Sequence, residues 1–161
     1  MSSDDRGFSL IELLIVVAII LIIAAIAIPN FMRSRIAANQ ASAIESLRVI
    51  GTAEVTYSVT YGGTYSSTLA QLGPPPSGTL ATSANAGLID ETLAGGTKSG
   101  YVFTYSPGPV DTLGNVDSYS LNANPSTFTV TGSVYYFTDQ SHVIRGNFSA
   151  TAGSTDSAVA N

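Results

Sequence analysis

A carboxylate sits where an apolar run should exclude it. From Phe8 to Ile28 only Ser9 and Glu12 are polar. At about 1.5 Å of rise per residue the run makes a helix roughly 31 Å long, enough to cross the hydrocarbon core of a bilayer. A charge near the middle of a spanning helix costs roughly 2.5–3.5 kcal/mol on insertion scales, so an intramembrane Glu needs a partner or a purpose. Taken by itself, Glu12 also fits a simple signal anchor in which the carboxylate stays wet near the interface.

Other reactive groups are few. His142 is the sole histidine and the chain has no cysteine. Neither a Cys/His zinc site nor a Cys–His nucleophile pair is therefore possible. Many serines are present, but no nucleophile-elbow pattern accompanies them, and His142 reads as a surface turn residue. Asp111, Asn115 and Asp117 share a short loop and carry the oxygen ligands calcium prefers. Arg33 and Arg35, just beyond the apolar run, suit lipid head groups or a neighbour's carboxylate. No catalytic residue, metal or cofactor is expected, and the chain is not read as an enzyme.

The residues around Glu12 narrow its reading. Met1–Gly7 is a short polar leader, and Gly7-Phe8-Ser9-Leu10-Ile11-Glu12-Leu13-Leu14-Ile15-Val16-Val17-Ala18-Ile19-Ile20 closely resembles the start of type IV prepilins and related pseudopilins. In that family a membrane aspartyl peptidase cuts after the glycine and N-methylates the new terminal phenylalanine. The resemblance implies cleavage between Gly7 and Phe8, N-methylation of Phe8, and Glu12 as the assembly determinant. Gly7 offers no side chain to obstruct a protease reading an extended backbone. Unlike a secretory signal, the apolar segment follows the cut and is retained. The stretch from Asn30-Phe31-Met32-Arg33-Ser34-Arg35 to Ser46-Leu47-Arg48 resembles the corresponding region of myxobacterial-type pilins.

Departures from the family pattern are informative. Prepilin leaders are usually basic, whereas this one sets Asp4 and Asp5 against Arg6. With Arg33, Arg35 and Arg48 beyond the run, a positive-inside count would place the body in the cytoplasm. The resemblance implies the reverse: leader cytoplasmic, body periplasmic. Many pilins close a C-terminal loop with a disulfide, which this chain cannot do. Leu21 stands where the family often has glycine. The Asp111–Asp117 loop lacks the denser acidic-glycine pattern of the calcium loop in major type II secretion pseudopilins.

The 161 residues allow one modest domain besides the anchor. Apolar residues form 45% of the chain, many of them in the first helix. The remainder is rich in Ser, Thr, Gly and Ala. Net charge is −5, of which the leader contributes −1. An acidic body argues against nucleic acid as a primary partner.

The elements that must position these groups read in order. Residues 1–7 are the leader and 8–29 the transmembrane and polymerisation helix. Pro29 removes a helical hydrogen bond and clashes with the preceding turn, which predicts a kink or local unwinding there. The helix resumes over 30–61. Ile44, Leu47, Gly51, Val55 and Val59 form one stripe; Ile50, Ala53, Tyr57 and Tyr61 form an adjacent one. Residues 62–100 are a connecting loop, with a turn of helix at Ser67–Leu72 and a short helix within Ala84–Ala94. Strands are expected at Tyr101–Tyr105, Ser118–Ala123, Thr127–Thr131, Val134–Thr138 and His142–Gly146, giving a sheet over 101–148. The final turn, Asp139 to Arg145, is similar to an acidic-x-Ser-Gly-Val-Ile-Arg turn of related domains, with His142 replacing glycine. Residues 149–161 read as a flexible tail.

The predicted fold is α+β and pilin-like: a long bent N-terminal helix packed on a small antiparallel sheet. Leu47, Ile50 and Tyr57 are expected to meet Val102, Tyr119 and Phe137. The function the resemblance implies is that of a structural subunit polymerised into a type IV pilus for adhesion or motility. Its alternatives are the major pseudopilin of a type II secretion system and a minor pilin or tip adhesin. Implied partners are other copies of the chain in a helical filament, the prepilin peptidase and N-methyltransferase, an assembly platform, and the inner membrane before extracellular assembly.

Overall fold

The computed structural model describes residues 8–159. The chain divides into two units, Met1–Arg35 and Ile36–Asn161, and helix α1, Leu10–Thr60, runs through both.

In the first unit α1 is apolar almost without interruption, and none of its most hydrophobic window is buried. A helix apolar all round and uncovered by its own chain belongs in lipid or against partners. It is the one helix among the described residues long and apolar enough to cross a membrane. Helical structure continues unbroken through Pro29, so the local unwinding allowed by the sequence is not seen. Next to the proline, Asn30 Nδ2 donates to the Ile26 carbonyl at 3.1 Å, and Ser34 Oγ to the Asn30 carbonyl at 3.1 Å. These side chains supply extra donors in a turn from which proline has removed one.

In the second unit the same helix becomes one-sided. Ala43, Leu47, Ile50, Ala53 and Tyr57 are buried, spaced by three and four residues. Gly51 is buried as expected, but Val55 and Val59 face outward. Ser46 and Glu54 are buried instead, beside Ala43, Ile50 and Ala53. The helix stops at paired glycines. Gly62 takes φ +88°, and the Gly63 amide donates back to the Ser58 carbonyl at 2.8 Å. That closes the last turn by a contact only a positive φ permits.

Five strands follow a 3-10 turn (Leu69–Leu72) and a short helix α2 (Glu91–Ala94): β1 Thr97–Lys98, β2 Tyr101–Pro107, β3 Tyr119–Pro125, β4 Tyr135–Asp139 and β5 Arg145–Asn147. Every pairing is antiparallel, and spatial order follows chain order. Alternation decides the faces. Tyr101 and Phe103 turn inward from β2, and Tyr119, Leu121 and Ala123 from β3. Register sets Phe103 beside Ala123 and Ala123 beside Tyr136. Tyr101, Phe103, Leu121, Ala123 and Tyr136 share one core with Leu47, Ile50 and Tyr57 of the helix. Full burial of a side chain such as Leu47 or Ile50 is worth about 1.5–3 kcal/mol. Side-chain bonds pin the helix further: Asn39 Nδ2 to the Thr131 carbonyl, Gln40 Nε2 to Ser133 Oγ, and Ser42 Oγ to Ser99 Oγ.

Several expectations are corrected. Val102 points outward and is 40% exposed; the strand's phase puts its odd-numbered residues inside. Phe137 is buried, but it pairs with Asn122 on the outer face and lies outside the helix-facing core. Tyr119 is buried, but it is not part of the core cluster that holds Leu47, Ile50 and Tyr57. Thr127–Thr131 is a turn joined by a single Phe128–Gly132 bridge, not a strand. The expected 84–94 helix contracts to α2, because Asp90 is its N-cap and accepts the Leu93 amide. The tail is not loose. Asn122 Nδ2 donates to the Ala152 carbonyl, Arg145 bridges to Ala158, and the Val159 amide donates to the Ile144 carbonyl. Asp156 knots it with bonds from Asn147 Nδ2 and the Gly153 amide.

Candidate functional site

Of the sequence-derived site residues, Gly7 lies outside the described residues; Phe8, Glu12 and Pro29 lie within them. Phe8 is 77% exposed and lies two residues before the start of the helix. Ser9 is its first capping residue: the Ser9 carbonyl accepts the Leu13 amide at 3.2 Å. Glu12, in the first turn, folds back so that Oε2 accepts the Ser9 amide at 2.9 Å. Ser-x-x-Glu is thus half of a reciprocal capping box, written in the sequence as Ser9-Leu10-Ile11-Glu12. The helix macrodipole also favours an anion at this end. The carboxylate that looked costly in an apolar run therefore has a local donor and a favourable field.

The remaining candidates separate. Asp111 is committed to its own loop: Oδ1 accepts the amides of Leu113 and Asn115, and Oδ2 accepts Asn115 Nδ2. The Asn115 amide leads the contacts that hold its carboxyl below the usual range. No group of three potential metal ligands occurs among the described residues, and the calcium reading gains no support. His142 sits in the turn after β4 with φ +60°. Arg33 and Arg35 are exposed on α1.

One group escaped sequence reading altogether. Glu54 is fully buried between the helix and the connecting loop. Its signal was the spacing: Leu47, Ile50, Glu54 and Tyr57 fall on one helical face, and a charge there is buried with partners or not at all.

A membrane-competent N-terminal helix, capped by a Ser–Glu box and continued into a helix-on-sheet body, defines a pilin-like α+β protein. The particular resemblance is carried by sequence. Residues 2–28 match the family described as the prokaryotic N-terminal methylation motif. The chain is 51% identical over 53 residues to the type IV major pilin protein PilA of Myxococcus xanthus (strain DK1622). That stretch is 33% of this chain and 24% of the relative, so the likeness covers about a quarter of the relative's length. The N-terminus is accordingly similar to that of a type IV pilin.

Proposed function

We propose that the chain is a structural subunit of a type IV pilus, processed and polymerised and without catalytic activity of its own. The precursor spans the inner membrane once, leader cytoplasmic and body periplasmic. Prepilin peptidase cuts between Gly7 and Phe8 and the new Phe8 amine is N-methylated; an assembly platform then extracts the subunit into an extracellular homopolymer. The observation that carries this reading is the fully uncovered apolar helix opened by Glu12 and its capping box, joined to the methylation motif.

In this reading Glu12 has two successive partners. In the waiting subunit it accepts the Ser9 amide; in the fibre it meets the Phe8 amine of another copy, setting one helix's axial register on the next. Pairing in a low-dielectric core offsets much of the cost of burying either charge alone. The Pro29 turn, one backbone donor short, is where the helix would bend. N-terminal mass spectrometry of sheared filaments tests the whole: the expected species begins at N-methylated Phe8, and a chain intact from Met1 overturns it.

A further inference from the structure

The second unit carries matched apolar features at its two ends. Near the C-terminal end of α1, residues 73–87 leave the body as a closed loop. The Gly87 amide donates to the Gly73 carbonyl at 2.8 Å and the Ala86 amide to the Gln71 carbonyl at 2.7 Å. Tyr57 Oη ties the loop to the helix through the Ser83 carbonyl at 2.8 Å. Inside it Thr79 bonds the Pro76 carbonyl with both amide and hydroxyl, and Thr82 and Asn85 exchange backbone bonds. Gly73 is extended, with φ −69° and ψ 173°, and Pro74-Pro75-Pro76 follows with each φ fixed at about −65°. These are the torsions of a polyproline II turn. Pro75 packs back on Gly87, where a Cβ would stand 3.4 Å from Pro75 Cδ. Pro74, Pro76 and Leu80 are exposed, Leu80 at 89%. A compact loop tied in this way presents its apolar side chains with little ordering left to lose on contact.

At the other end of the body, Gln40 Nε2 donates to Ser133 Oγ at 2.8 Å. The next residue, Val134, lines a surface groove of about 200 Å³ together with Tyr136, Gly146, Phe148 and Val159. Phe148 is 74% exposed. No charged side chain lines the groove. Arg145 and Asp156, beside it in sequence, are taken up by the tail: Arg145 Nη1 donates to the Asp156 carbonyl, and the Asp156 carboxylate accepts Asn147 Nδ2. Nor does any Asp, Glu, Lys, Arg or His occur from Val55 to Ile89, the stretch that holds the loop. Charge depletion with aromatic enrichment marks the core of a protein contact, and aromatic-lined grooves take proline-rich segments. From Gln40 to Tyr57 α1 rises roughly 26 Å, so the loop lies far from the groove of its own body. Copies stacked in one orientation can bring the two together. A contact between opposite ends repeats without closing and gives an open filament. We propose that the Pro74–Pro76 and Leu80 loop of one copy docks into the Tyr136–Phe148 groove of the next, a contact that rests on the filament reading above and lies outside the apolar N-terminal run.

Because the chain has no cysteine, Leu80→Cys combined with Phe148→Cys supplies its only two thiols, one at each end of the body. Sheared fibres of this double variant, and the full chain in detergent micelles, are treated with a bismaleimide much shorter than the separation along α1. A ladder of covalent multimers is expected from the pair and nothing beyond dimers from either single variant. Leu113→Cys with Phe148→Cys is the control, Leu113 being 84% exposed on another loop; an equal ladder from it overturns the contact. Fibres that form without a ladder overturn the contact and leave the filament reading standing, whereas a ladder in micelles from a chain that makes no fibres does the reverse. No ladder in either sample, or adducts only to a chain of different mass, also overturns the contact. Fibre yield gives a second readout. Leu80→Ser should leave the Tm of the full chain unchanged and cut the yield of sheared fibres roughly tenfold, the loss of one buried leucine per contact. Parental yield from Leu80→Ser likewise overturns it.

Discussion

Ser66 grips the fully buried carboxylate of Glu54 twice, with its amide at 3.0 Å and its hydroxyl at 2.5 Å. The Ser66 carbonyl in turn accepts Tyr105 Oη at 2.8 Å. Helix, connecting loop and β2 are thus joined through one serine. Burial pushes the Tyr105 phenol well above its ordinary range, so it stays a donor at any physiological pH. Next door, Val116 donates to Thr64 Oγ1 and accepts the Tyr65 amide. The long connection is anchored at its first ordered residues.

Removing that carboxylate should be costly. Glu54→Ala strands two buried donors and leaves a void, a loss on the order of 3 kcal/mol. Glu54→Gln keeps acceptor oxygen and volume and should lose less. Chemical denaturation followed by near-ultraviolet dichroism of the tyrosines measures both; equal stability of Glu54→Ala and parent would mean the grip contributes nothing.

Helix facing is tested by contrast. Leu47→Ala should destabilise by about 2–5 kcal/mol, whereas Val59→Ser, on an 82% exposed side chain, should stay within about 0.5 kcal/mol. Similar losses at the two sites would contradict the observed face.

Asp90 gives a pH signature. The Lys98 ammonium at 2.8 Å, then the Leu93 amide, hold its carboxyl below the usual range. A depressed folded pKa contributes stability that is present above the unfolded value of about 3.9 and is lost as pH falls through the folded one. Asp90→Ala, which also removes the N-cap of α2, should cost about 1 kcal/mol at pH 7. The gap from the parent should close at pH 2–3. Denaturation across that range reads it directly, and a gap that persists at pH 2 would rule the carboxylate out as its source.

At the other end of the chain, Glu12→Gln and Glu12→Val should be inserted and cleaved normally yet yield few or no filaments, Val the fewer. Gly7→Val should accumulate uncut precursor, since a branched side chain obstructs the scissile backbone. Immunoblots of membrane and sheared-filament fractions separate the two defects. Wild-type filament levels from Glu12→Val would remove Glu12 from assembly.

What the sequence disclosed, and what it hid, follows from the range of the forces involved. The apolar run, Glu12, the helix through Tyr57 and the cores of β2, β3 and β4 are local patterns and could be read. The phase of β2 could not: Tyr101-Val102-Phe103 is apolar on both faces, and pairing with β3 chose between them. Thr97–Lys98 has no strand pattern and becomes β1 only because Tyr101 and Val102 pair with it. Glu54 was legible as a charge but not as a buried one, since Ser66 lies twelve residues on. His142 was read as a turn residue; its meeting with Gly51 is ninety-one positions distant, beyond any periodicity.

A tail fastened to β5 by Asp156, Arg145 and backbone hydrogen bonds, in a chain without cysteine, is a mechanical fastening with no redox chemistry in it. Load that peels it away breaks only contacts that water can exchange. Once tension drops, the segment can return to its strand on the microsecond scale of hairpin closure. No oxidant, isomerase or particular compartment is needed for the repair.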